Sequence, residues 1–180
     1  MATVILVRHG RTSANTGGIL AGTTPGVELD ETGRGQAEHV AGRLAAVPLA
    51  AIVSSPLDRC RQTAEIIAAT QPGLPAIRVE DRLTEVGYGD WTGRPLAELA
   101  TDPSWAVVQH YPSGMRFPGP DGETLRAAQA RAVSAMRDWD AAMADLHGPT
   151  AIWLACSHGD VVKAVIADAL SARSMGPEVR

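Results

Sequence analysis

The chain has 180 residues, 45% of them hydrophobic and 20% charged, with a formal net charge of -4 at neutral pH. That length supports a single domain over residues 1–180 with a sizeable core. The charge balance excludes an overall positive field of the kind that selects nucleic acid or an anionic membrane. No apolar run is long enough to span a bilayer, and nothing has the makeup of a signal peptide. The two cysteines, Cys60 and Cys156, form neither a disulfide framework nor a zinc-ligand pattern and read as buried, inert thiols. A reduced, cytoplasmic protein with no metal or other cofactor is the expectation.

In chain order, Val4 to Val7 form an apolar, β-branched run that predicts a buried strand. It stops at Arg8-His9-Gly10: a planar cation, an imidazole, and a residue without a Cβ that lets the backbone turn and approach a ligand. In an open α/β sheet, chemistry gathers where loops leave the carboxyl ends of strands. Thr12 and Asn15 in the next loop offer donors to an anion, although turns use the same residue types. Thr32 is the expected N-cap of a helix with an apolar face of Ala37, Val40, Ala41 and Leu44, and His39 falls off that face. Ala50 to Ser55 predict a second strand. Pro56 fits the first turn of the following helix. Arg59 and Arg61 near that helix start can face an anion, helped by the helix dipole, or can be solvated surface residues.

After Gln71-Pro-Gly-Leu-Pro75 and a short strand at Ile77 to Glu80, the character changes. Residues 81–122 are rich in glycine and proline and hold Tyr88, Trp91, Trp105, Tyr111 and Phe117. The segment is too irregular for the main core and reads as a lid over a site. A satellite core packed by aromatics is a compatible alternative. From Glu123 to Leu146 a long helix with Leu125, Ala128, Ala132, Met136 and Trp139 on one face is structural in character. Thr150 to Cys156 predict a buried strand that ends in Ser157-His158-Gly159, a second His-Gly at a strand end. A last helix runs from about Asp160 to Leu170. The alternation predicts a three-layer α/β/α fold around a mostly parallel central sheet.

Two histidines and one or two arginines launched from strand ends and helix starts make a cationic cluster whose natural guest is a phosphoryl group. A histidine nitrogen can attack phosphorus and form a covalent intermediate that water resolves. Arginines and a second, protonated histidine would neutralise the equatorial oxygens, and a carboxylic acid is needed for the leaving alkoxide. A cysteine-based phosphatase needs an arginine six positions after its cysteine, where this chain has Ile66 and Val162. Neither a Gly-Xaa-Ser-Xaa-Gly elbow nor a Walker-type lysine loop is present.

The order Leu6-Val-Arg8-His9-Gly10-Arg-Thr-Ser-Ala-Asn15, Leu29-Asp-Glu-Thr-Gly33-Arg-Gly-Gln36, Ser54-Ser-Pro-Leu-Asp-Arg59-Cys-Arg-Gln62-Thr63, Leu83-Thr-Glu85-Val-Gly-Tyr-Gly89-Asp-Trp91, Gly122-Glu123-Thr124 and Ser157-His158-Gly159 resembles the histidine phosphatase superfamily, also called phosphoglycerate-mutase-like. The resemblance implies that His9 is the nucleophile. It places Arg8, Arg59, His158 and Gly159 in the phosphate pocket with Asn15 as a further donor, and makes Glu85 the acid and later the base. Glu85 then needs a raised pKa, which bound phosphate and an aromatic lid would supply. Arg11, Thr12, Gly22 and Thr23 are expected at the substrate mouth. Arg11 stands where many relatives carry an acidic or amide residue, which adds a cation there and favours an anionic leaving group. The chain ends soon after its last helix, whereas relatives usually continue through another strand. An open sheet edge covered by a second copy in a homodimer is one expectation; a frayed or truncated tail from Ser171 to Arg180 is the other.

The short stretches between Arg59, Glu85 and His158 favour a metal-independent phosphomonoesterase for a small phosphorylated metabolite over a cofactor-dependent phosphoglycerate mutase, whose cap is longer. A non-catalytic phosphate-binding module would have lost the nucleophile or the acid. Sugar phosphates, phosphoglycerates, nucleotide-like cofactor precursors and phosphoproteins all fit the sequence.

Overall fold

A computed structural model describes residues 1–73 and 75–174, the last three as backbone. In chain order the elements are β1 (Thr3–Arg8), the single-turn α1 (Ser13–Thr16), α2 (Glu31–Leu44), β2 (Leu49–Ser54), α3 (Asp58–Ala68), β3 (Ile77–Val79), the short α4 (Leu96–Leu99) and α5 (Trp105–His110), the long α6 (Leu125–His147), β4 (Ile152–Ser157) and α7 (Gly159–Ser174). The strands form one parallel sheet in the order β1-β4-β2-β3. β4 lies between β1 and β2, with Arg8 opposite Ser157 on one side and Ser54 opposite Cys156 on the other. The ladder runs one residue past the strands: the His9 amide donates to the Ser157 carbonyl at 3.0 Å, and the Ser55 amide to the Cys156 carbonyl at 2.9 Å. Three carboxyl ends therefore finish level and side by side.

The two-residue period of a strand sorts the core into two layers. Ile52, Leu154 and Cys156 pack with Val7 against α2 and α3, through Ala41, Cys60, Ala64 and Ile67. Their neighbours Ala51, Val53, Trp153 and Ala155 face the opposite side, under α6 and α7. Both faces of the central strands are apolar because both are covered, as parallel sheets require.

Residues 81–122 depart from the sequence expectation. The segment is irregular, but Leu83, Val86, Tyr88, Trp91, Met115 and Phe117 are buried in the same cluster as Val53 and Trp153, so it is part of the main core. Tyr88 and Trp91 both meet Phe117 edge-on, at 4.8 and 5.5 Å between ring centroids. Aromatic side chains bury large areas from few positions, so a loop can fill a core layer without regular structure. Trp105 is partly buried against this cluster, and Tyr111 is exposed. Backbone crossings hold the loop: Tyr88 bridges Gly122, and Arg116 bridges Thr124. A Cβ on Gly89 would collide with the Pro118 carbonyl, which makes glycine obligatory at that crossing.

Two helix starts also differ. Asp30, not Thr32, caps α2: its carboxylate accepts from the Gly33 amide at 2.7 Å, while Thr32 Oγ1 accepts from Arg11. Pro56 lies before α3, whose cap is Leu57 in an extended conformation. The Leu57 amide donates back to Ser55 Oγ at 3.4 Å. His39 is exposed as expected. The tail expected to fray or to continue lies, from residue 175 onward, outside the described residues.

Candidate active site

The level strand ends open into a cavity of about 410 Å³ whose wall includes Arg8, His9, Arg59 and Glu85. Much of the remaining wall is aliphatic: Ile19, Leu20, Ala21, Leu96 and Val162. His9 comes directly off β1. The next turn is pressed against the start of α2, where a Cβ on Gly10 would strike the Gly33 carbonyl and one on Gly33 would strike that of Arg11. His9 Nδ1 lies 2.7 Å from the Gly10 carbonyl oxygen. A carbonyl only accepts, so Nδ1 carries the proton and Nε2 holds the free lone pair. Burial, opposed by the Gly10 hydrogen bond and reinforced by the charges of Arg59 and Arg8, lowers the His9 pKa to about 4. His9 is therefore neutral at pH 7, with a lone pair available on Nε2.

His158 comes off β4 beside it, fully buried, with ring centroids 5.2 Å apart. Its Nε2 lies 2.8 Å from Ser55 Oγ and 3.4 Å from Cys60 Sγ, and its Nδ1 lies 3.8 Å from Glu85 Oε2. The second histidine, expected to be protonated against a bound phosphoryl group, is neutral in this structure. Burial, followed by the charges of Arg59 and His9, pulls its pKa down to about 2. His158 is thus a neutral hydrogen-bonding group, and an anion beside it would offset the surrounding cations. Both cysteines are free and buried, and burial pushes the Cys60 thiol up.

Arg59 reaches the cavity from the first turn of α3 and is 2% exposed. One terminal nitrogen donates to the Gly22 carbonyl at 2.7 Å. The other, Nη1, is buried without a hydrogen-bond partner, and no carboxylate pairs with Arg59 among the described residues. A desolvated guanidinium nitrogen with nothing to donate to carries a penalty that an anion in the cavity would remove. Gly22 adopts φ +52° to present that carbonyl, a left-handed conformation suited to glycine.

Glu85 lies on the irregular segment, with Oε1 accepting from the Val86 amide at 3.0 Å. Burial, opposed by that bond and supported by the charge of Asp160, raises its pKa to about 7. Burial alone thus does much of what bound phosphate was expected to do. A carboxyl tuned to neutrality can both give and take a proton. Arg131 on α6 holds the segment in place. It pairs bidentately with Glu123 at 2.8 and 2.9 Å and donates to the carbonyls of Arg82, Thr84 and Glu85 at 2.8, 2.9 and 3.0 Å. Glu123 in turn accepts from the Gly87 amide at 3.2 Å, and Ser157 Oγ donates to the Leu83 carbonyl at 2.7 Å. Reading α6 as purely structural missed Arg131; an arginine within a helix carries no sequence signal for this role.

The other expected residues divide. Asn15, Thr12, Gly22 and Gly159 line the cavity. Thr12 caps α1 and is spoken for: its hydroxyl donates to Asn15 Oδ1 at 3.1 Å and accepts from the Asn15 amide at 3.2 Å. Asn15 Oδ1 also accepts from the Thr12 amide at 3.0 Å, so its amide nitrogen is the end free to donate. Arg11 does not reach the mouth; its guanidinium lies on Asp30 at 2.8 Å and on Thr32 at 2.7 Å. Thr23 is exposed and outside the cavity wall. Arg61 is a surface residue beside Glu65. Unforeseen on the wall are Asp160 and Lys163, and Tyr88 donates to Asp160 Oδ2 at 2.8 Å. Among the described residues, no cluster of three or more His, Cys, Asp or Glu is placed to hold a metal, and no helix is long and apolar enough to cross a membrane.

Known proteins share this arrangement of chain and fold. A probable phosphatase of Schizosaccharomyces pombe is 31% identical over 88% of this chain and 69% of its own length. A 2,3-bisphosphoglycerate-dependent phosphoglycerate mutase of Gloeobacter violaceus is 29% identical over 92% and 74%. The solved structure of a mycobacterial glucosyl-3-phosphoglycerate phosphatase matches with a TM-score of 0.79 at 27% identity, covering 92% of this chain and 78% of that one. Against several further curated relatives the chain spans under half of their length. The family model for the histidine phosphatase superfamily (branch 1) matches residues 4–177, and the chain belongs to that superfamily.

Proposed function

We propose that the protein is a phosphomonoesterase that works through a phosphohistidine on His9. The observation that carries this reading is the pairing, in one cavity, of a neutral imidazole with Nε2 free and a buried guanidinium with an unpartnered nitrogen. In the first step Nε2 attacks phosphorus, the ester P–O bond breaks, and the leaving alkoxide takes the proton of Glu85. In the second, the Glu85 carboxylate takes a proton from water as the oxygen attacks phosphorus. The P–N bond then breaks, and His9 and inorganic phosphate are regenerated. Arg8 and Arg59 hold the equatorial oxygens, the Asn15 amide nitrogen donates to one of them, and His158 contributes a hydrogen bond.

Relatives bear both phosphatase and mutase names. The cavity wall favours the phosphatase. A mutase must hold a second anionic group of a small substrate while the phosphoryl group moves. Beyond Arg8 and Arg59, the one cation on this wall is Lys163, already paired with Asp160 at 3.2 Å. A binding module would need neither a neutral nucleophile nor a carboxyl tuned near 7.

The test is turnover of a panel of phosphomonoesters and phosphoglycerates by wild type and His9→Ala, with EDTA present and absent, plus acid-labile capture of labelled phosphoenzyme. Phosphate release insensitive to EDTA and reduced roughly 10⁴-fold or more in the variant is expected. Isomerisation outpacing release would make the protein a mutase. Folded wild type without turnover would make it a binding module.

A further inference from the structure

Beside the catalytic cavity lies a groove of about 410 Å³ between α6, α7 and the α5 region. Asp160 and Lys163 belong to the walls of both, so the groove adjoins the cavity at that ion pair. Its surface is mainly apolar, from Val108, Pro112, Leu125, Ala164 and Ala167. Two cations and one carboxylate border it. Asp160 neutralises Lys163, while Arg126 has no ion pair among the described residues, which leaves one unmatched positive charge.

We propose that this groove receives the alcohol part of the substrate, and that the preferred ester has an extended apolar body ending in one carboxylate or similar anion. The inference rests on the phosphomonoesterase reading. An extended body suits the groove because aliphatic surface there would otherwise stay wet. A single anion matches the net charge of the border, and Arg126 offers it a planar fork. A compact, highly charged substrate would leave the groove empty and gain nothing from it.

Alkyl phosphates of graded length test this, because their alcohols are equally poor leaving groups and differences then report binding. The probes are ethyl phosphate, heptyl phosphate and a series of ω-carboxyalkyl phosphates. Expected is a kcat/KM at least tenfold higher for heptyl than for ethyl phosphate, and a further rise for one length in the carboxylated series. In Arg126→Gln the ratio of the best carboxylated ester to heptyl phosphate falls towards one. In Ala167→Trp, which fills the groove from an exposed position, the ratio of heptyl to ethyl phosphate falls likewise. Equal kcat/KM across all chain lengths, or ratios unmoved in both variants, overturns the proposal while leaving the phosphatase intact. Absence of hydrolysis of every ester by wild type overturns the phosphatase reading itself.

Discussion

The site draws on two regions built by different means. His9 and His158 directly follow adjacent parallel strands; the His9 amide is bonded to the Ser157 carbonyl, and the His158 carbonyl accepts from the Val162 amide at the start of α7. Glu85 sits on a loop without regular hydrogen bonding, held by a side-chain clamp from α6. The first region is as rigid as the sheet. The second is held largely through Arg131, whose ion pair with Glu123 is half-buried, with side chains 21% and 20% exposed.

The two regions also answer pH in opposite senses. His9 has a folded pKa of about 4 against an ordinary 6.5. The unfolded chain binds more protons between those values, and this contribution to stability is lost as pH falls from 6.5 towards 4. Glu85 has a folded pKa of about 7 against 4.5. Here the folded state binds more protons, so the contribution is complete below 4.5 and is lost as pH rises towards 7. If His9 and Glu85 act as proposed, a pH profile of kcat/KM should show an acid limb near 4, where the imidazole gains a proton, and an alkaline limb near 7, where the carboxyl loses one.

The largest effect that isolates the loop region comes from Glu85→Gln. On alkyl esters kcat should fall by roughly 10²–10⁴-fold, with the alkaline limb abolished. On 4-nitrophenyl phosphate the first step should be far less affected, because a phenolate leaves without a proton. Equal losses in the first step on both, read from single-turnover release of the alcohol or phenol, would mean that Glu85 positions rather than protonates. Arg131→Gln comes next. It should slow alkyl ester hydrolysis by about 10–100-fold through misplacement of the carboxyl, and destabilise the fold by about 2–3 kcal/mol by leaving backbone carbonyls and Glu123 unpaired. Because the Arg131 charge depresses the Glu85 pKa, the alkaline limb should also move to higher pH. A stability loss without that movement would make the clamp structural only. The smallest effect is expected from Arg11→Ala, with kcat/KM changed by less than about twofold on anionic and neutral leaving groups alike. A selective loss on anionic ones would return Arg11 to the mouth.

These regions were also unequally legible. The strands carrying the two histidines announce themselves, since an apolar run ending in His-Gly is a local pattern. Glu85 came only from the family resemblance, because nothing local distinguishes it from a solvated loop glutamate. Arg131 was invisible: its function lies in three carbonyls more than forty residues upstream in the chain. Arg11 was misplaced for the converse reason. Its charge and position near His9 suggest the mouth, and Asp30 and Thr32, brought near by the Gly10–Gly33 contact, claim it instead. Irregular backbone in the aromatic segment predicts a lid or a satellite core, whereas Trp91 and Phe117 fill a layer of the main core.

What the sequence determined by itself was the parallel α/β scaffold, the two histidines at strand ends and the arginine at a helix start. Each is set by patterns spanning a few residues: strand period, apolar runs and glycine at the turn. The tertiary structure alone decided the protonation states and the pairings, for these depend on burial and on neighbours distant in sequence. It made His9 and His158 neutral, brought Glu85 near pH 7, left Arg59 Nη1 without a partner and drew Arg11 away from the mouth.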